Sequence, residues 1–87
     1  MALYTGTATG NNGSLVVEVT VDTNKIISVK VIEHAETEGL ADPAIEKVPT
    51  SIVTRQSIEV ETISGATNTS KAIINATKDA LTKVANK

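Results

Sequence analysis

The stretch V-E-T-I-S-G-A-T-N-T-S, residues 60–70, decides how this chain is read. Over residues 58–63 apolar and polar side chains alternate, the pattern of a strand with one face buried. Ser64-Gly65-Ala66-Thr67 follows, a run of small residues suited to a tight turn. Beyond it, Ile73, Ile74, Thr77, Ala80, Leu81 and Val84 recur at helical spacing, so a long amphipathic helix is expected over residues 68–85. Strand, glycine turn and helix start form an arrangement that can hold an anion. The first amides of a helix have no acceptor within it, and the macrodipole leaves that end positive. Ser64, Thr67, Thr69 and Ser70 put hydroxyl groups around the same point. Small and hydroxyl residues also open many helices that bind nothing, Thr67 then being an ordinary N-cap worth about 1 kcal/mol.

The elements before this stretch supply the sheet. Residues 3–9, rich in Thr, read as a first strand that can bend at Gly6. Gly10-Asn11-Asn12-Gly13-Ser14 is a turn cluster. Leu15, Val17, Val19 and Val21 then alternate with Val16, Glu18 and Thr20, a second strand with one buried face. After the connection at residues 22–25, Ile27, Val29 and Val31 alternate with Ser28, Lys30 and Ile32 in a third strand. Residues 34–42 break the alternation and read as a loop. Asp42-Pro43 suits a helix start, and Pro49 is expected to end that helix early, with a second helical piece over residues 50–57. With residues 58–63 as a fourth strand, the order is β-β-β-α-β-α. That is an α+β domain: a small antiparallel sheet with helices packed on one face.

Composition sets the limits. Eighty-seven residues make one domain, 1–87, with no room for a second core. The core must be aliphatic, since Phe and Trp are absent and Tyr4 is the single aromatic. Hydrophobic content of 40% against 21% charge argues for a folded chain. A net charge of −2 gives no basic footprint for nucleic acid. No cysteine is present to form a disulfide or a thiolate metal site, and one His with scattered carboxylates offers no convergent metal ligands. No apolar run reaches the ~20 residues of a membrane span, so no direct membrane insertion is expected. There is neither a G-x-S-x-G elbow nor a G-x-x-x-x-G-K-S/T loop, so neither serine hydrolysis nor Walker-type nucleotide binding is indicated. The chain reads equally as a domain cut from a longer protein.

S-G-A-T-N-T-S after an acidic residue resembles the flavinylation motif of the FMN-binding domain family. That family includes domains of sodium-pumping NADH:quinone reductase, Rnf-type complexes and fumarate or urocanate reductases. The likeness extends to the Y-T-G-T-A opening, the hairpin, the E-T-x-G-L loop, I-E-K-x-P, and S-G-A-T-x-T-S-K-A-I. It implies FMN as cofactor, joined through its phosphate to the Thr67 hydroxyl, with Gly65 and Ala66 letting the backbone approach and Ser64, Thr69 and Ser70 as further phosphate donors. Glu61 stands where the family usually has Asp, which keeps the charge but moves the carboxylate; non-covalent FMN is the alternative. Glu36, Thr37 and Gly39 lie in the loop that the family places near the flavin ring. There Glu38 replaces the usual Pro and Ala41 the usual Gly, so a plain connector is the competing reading. His34 and Lys71 have solvated readings beside their flavin-tuning and phosphate-pairing ones, and Tyr4 a packing one beside stacking.

The resemblance implies an electron-transfer domain of a bacterial, membrane-associated or extracytoplasmic oxidoreductase complex, without substrate turnover of its own. Its partners would be a flavin transferase and neighbouring redox domains or subunits. The alternatives are a flavin-free structural or interaction module that keeps the fold, and an enzyme half that acts with a missing partner.

Overall fold

The computed structural model describes residues 2–10, 13–23, 25–34, 42–63 and 65–85. Three strands, β1 (Ala2–Thr9), β2 (Ser14–Asp22) and β3 (Lys25–Glu33), form an antiparallel meander with β2 in the middle. Two helices, α1 (Asp42–Arg55) and α2 (Thr67–Ala85), cover one face, α2 over β1 and β2 and α1 beside it over β3. The expected α+β class holds. The order is β-β-β-α-α among the described residues, so the fourth strand and the break at Pro49 are both corrected.

Alternation gives the buried face of β2 as read: Leu15, Val17 and Val19 are fully buried. On β3 the phase differs. Partners of β2 jump from Ser28 to Ile26 and from Glu33 to Val31, leaving Ile27 and Ile32 as extra, bulged residues. Ile26 and Val29 therefore point to the helices, while Ile27 and Ile32 are exposed. Two bulges in nine residues explain why a strict period of two misassigned Ile27 to the core.

α1 runs through Pro49 unbroken. A mid-helix proline costs about 3 kcal/mol. Fully buried Val48 and Ile52, on either side of it, outweigh that cost by packing into the core. The helix ends in a Schellman turn: Ser57 N–H donates to the Ile52 carbonyl and Gln56 N–H to that of Val53, both at 3.3 Å. Gln56, at φ +53°, holds the left-handed position that glycine usually takes. Its side chain accounts for the strain. Gln56 Nε2 donates to the carbonyls of Ile26 (2.8 Å) and Val53 (2.7 Å), and Oε1 accepts the Ile26 N–H (2.8 Å). One amide group thus occupies the free edge of β3 as a neighbouring strand would.

The free edge of β1 is closed in the same manner by α2. Thr7 N–H donates to Asp79 Oδ2 (3.0 Å), and Lys83 Nζ donates to the Thr5 carbonyl (2.6 Å). With both edges occupied by side chains, residues 58–63 have no strand to pair with. They form an extended connection in which Val60 N–H bonds the Ile58 carbonyl locally, while Val60 and Ile63 pack against the core. Their alternation reports half-burial, not pairing.

At Gly6 the helix backbone meets the strand backbone. A Cβ there would overlap the Ala76 carbonyl oxygen and sit 2.6 Å from the Ala80 amide nitrogen. Close approach, and not the expected bend, is the reason for glycine. Ala72, Ala76 and Ala80, all buried, are the matching small residues of α2.

Gly6→Ala is expected to destabilise the chain by about 3 kcal/mol or more, because neither backbone can yield without lifting the helix; urea unfolding measures this. Gln56→Ala keeps the strained φ and removes the edge contacts, and a loss of roughly 1–3 kcal/mol is expected in the same experiment.

Candidate functional site

The candidate site is the junction between residues 58–63 and α2. Ala66 N–H donates to the Ile63 carbonyl (2.9 Å), closing a turn in which Gly65 lies at φ +84°, a value that only glycine adopts without cost. The first helical bond runs from Ser70 N–H to the Ala66 carbonyl (2.9 Å). Ala66, and not Thr67, is therefore the N-cap, and it brings no side-chain oxygen to that role. Thr67 is the first helical residue and is exposed, as are Gly65, Asn68 and Lys71 around it. No acidic residue occupies the first turn of α2. A Cβ at Gly65 would find no atom within 4 Å, so the space over the turn is open.

Ser70 and Thr69 face the other way. Both are buried, Ser70 completely. Ser70 Oγ accepts the Ile63 N–H (3.0 Å) and donates its one proton to the Ala66 carbonyl (2.8 Å). A phosphate-donor role for this hydroxyl would require that second bond to break. Glu61 is exposed on the approach to the turn. Ser64, Glu36, Thr37 and Gly39 lie outside the described residues. His34 is exposed at the end of β3, and Tyr4 packs against the core cluster.

The structure thus brings Gly65, Ala66, Thr67, Thr69 and Ser70 together, with Thr67 outward and Ser70 inward. What the sequence reading lacked was Ile63, whose N–H and carbonyl are both bound within the turn. An isoleucine side chain carries no sign of a backbone role; the spacing of seven to Ser70 was the only available signal.

A phosphate group fits the outward side. Among the described residues nothing covers the opening, it lies at the positive end of a nineteen-residue helix, and no carboxylate of the first turn opposes it. By contrast, a shallow groove of about 250 Å³ between β3 and α1 is lined by Ile27, Ser28, Val29, Pro49, Thr50, Val53 and Thr54. It has no charged wall and none of the motif residues, so it offers nothing to an anion. Among the described residues, no three His, Cys, Asp or Glu side chains converge as a metal site would need, and no helix is long and apolar enough to cross a membrane.

Comparison with known proteins gives the same region a family. The model of the FMN-binding domain matches residues 10–82. The chain is 37% identical over 78 residues to an NADH:acrylate oxidoreductase of Vibrio harveyi, covering 90% of this chain and 8% of that protein. It is 39% identical over 79 residues to an uncharacterized protein of Treponema pallidum, covering 91% and 22%. A urocanate reductase of Eggerthella lenta is 33% identical over 78 residues, covering 90% and 13%. The chain thus spans less than a quarter of each of these relatives.

Gly65→Ala is expected to cost about 1–2 kcal/mol, all of it from the left-handed backbone, since the added methyl meets nothing. A thermal unfolding midpoint unchanged from the parent chain would show that the turn adopts another conformation.

Proposed function

The chain belongs to the FMN-binding domain family, with FMN as its cofactor, and we propose that Thr67 carries the flavin and that the loaded domain passes electrons within a larger oxidoreductase. The observation that supports the site is the exposure of Thr67 at the first position of α2, one residue past the cap. An N-cap hydroxyl turns inward to accept helix amides; a hydroxyl at the next position is free to point out. Once esterified, the phosphate keeps negative charge beside the helix start, an arrangement worth about 0.3–1 kcal/mol at an exposed site.

Attachment is an exchange of phosphorus–oxygen bonds with no change of oxidation state. Direct esterification of FMN would have to expel water in water. A flavin nucleotide activated as a phosphoanhydride, such as FAD, supplies a better leaving group. The Thr67 Oγ–P bond forms, the anhydride P–O bond breaks, the nucleoside monophosphate leaves, and the hydroxyl proton passes to a base of the flavin transferase. Exposed Gly65 and Glu61 leave this side open to such an enzyme. When bound, the flavin supplies the redox chemistry, and this chain fixes where it sits. The electron-transfer reading draws on the names of two relatives, an NADH:acrylate oxidoreductase and a urocanate reductase, of which this chain spans only a part.

Expression with a flavin transferase and its flavin donor is expected to raise the mass by one FMN less one water. Thr67→Ala abolishes that increase, and an adduct surviving the change would move the site elsewhere. Glu61→Asp, which restores the carboxylate position usual in the family, is expected to speed the mass increase in a timed reaction.

A further inference from the structure

We infer that Ser70 is a positioning residue for attachment at Thr67: its buried hydroxyl locks the turn that presents the threonine, and it takes no part in contacting the flavin. This inference rests on the assignment of Thr67 as the attachment residue. Ser70 sits one helical turn after Thr67, on the inward side, with no exposure to solvent. Its Oγ lies 3.0 Å from Ile63 N and 2.8 Å from Ala66 O, and so joins the residue before the turn to the N-cap after it. Ala66 N–H closes the same turn onto the Ile63 carbonyl at 2.9 Å. The hydroxyl thus links the two arms from inside.

Its capacity to donate is already used. A serine hydroxyl has one proton, and that proton is given to Ala66. Its acceptor side faces the Ile63 amide. Without the hydroxyl, the Ile63 N–H loses its partner, and the turn around Gly65, at φ +84°, keeps only the Ala66–Ile63 backbone bond and is freer to relax. Thr67 follows Gly65 by two residues, so any rotation there moves its Oγ relative to a transferase docked on the turn. A misplacement of about 1 Å in a group-transfer step can lower the rate by up to a hundredfold.

The test compares the parent chain with Ser70→Ala, Ser70→Thr and Gln56→Ala. Each is treated with a flavin transferase and FAD, and the FMN adduct is followed by mass against time. Thermal midpoints and amide exchange at Ile63 are read on the flavin-free proteins. Ser70→Ala is expected to slow attachment roughly ten- to hundredfold, lower the midpoint by roughly 4–8 °C and speed exchange at Ile63. Ser70→Thr, which keeps the hydroxyl, restores attachment to within a few-fold of the parent. Gln56→Ala, remote in role and comparably destabilised, attaches at the parent rate.

Attachment to Ser70→Ala at the parent rate overturns the inference and leaves Thr67 standing. Equal slowing in Gln56→Ala also overturns it, by reducing the effect to general stability. No adduct on the parent chain overturns the Thr67 assignment and this inference with it. Should Ser70→Ala fail to fold, Ser70→Cys, similar in shape but a weak donor and acceptor, takes its place with the same expected slowing.

Discussion

The contact on which the rest depends is the backbone-to-backbone approach of α2 and β1 at Gly6. A glycine inside a strand costs about 0.5–1 kcal/mol relative to alanine. It is retained against that cost because any Cβ would collide with the Ala76 carbonyl. The close approach sets the height of α2 over the sheet. The Asp79 and Lys83 bonds to the edge of β1 then fix its position along the strand. With the axis fixed near its C-terminal half, its first turn has a defined location, and Thr67 inherits it.

The same helix, together with Gln56, closes the sheet. An exposed edge strand invites pairing with another chain. Here Asp79 and Lys83 occupy groups along one edge and the Gln56 amide occupies them along the other. Among the described residues the sheet therefore has three strands. The segment that would have made a fourth leads instead from the end of α1 to the start of α2, with Val60 and Ile63 as apolar anchors. The turn at the site follows directly from this arrangement, since a paired strand would have had its own use for the Ile63 amide.

Much of this was legible in the sequence. The buried face of β2, the class of the fold, the long second helix and the turn at Gly65 each follow from a local pattern. Where the reading failed, the deciding partner lay far along the chain. Ile27 lost its place in the core to a bulge that only pairing with Val21 and Thr20 defines. Pro49 did not stop α1, because Val48 and Ile52 are held by the sheet. Gln56 stands at a left-handed position that sequence patterns assign to glycine, and its reason is Ile26, thirty residues away. At the candidate site the sequence pattern did not give the directions of the side chains. Thr67 and Ser70 look alike in the sequence, and only the helix axis turns one outward and the other in.

That division of labour answers a conflict in the chemistry of the junction. A helix start is most stable when its hydroxyl residue is the N-cap, with the oxygen engaged by the helix's own amides. On the proposed reading, Thr67 must instead offer its oxygen to a large enzyme. Placing Ala66 at the cap forgoes roughly 1 kcal/mol of side-chain capping and leaves Thr67 exposed one position later. Ser70, buried beneath the same turn, replaces part of the lost restraint with two hydrogen bonds from inside. The junction holds its shape through the hydroxyl that faces the core, while Thr67, the residue proposed for attachment, stays exposed at the surface.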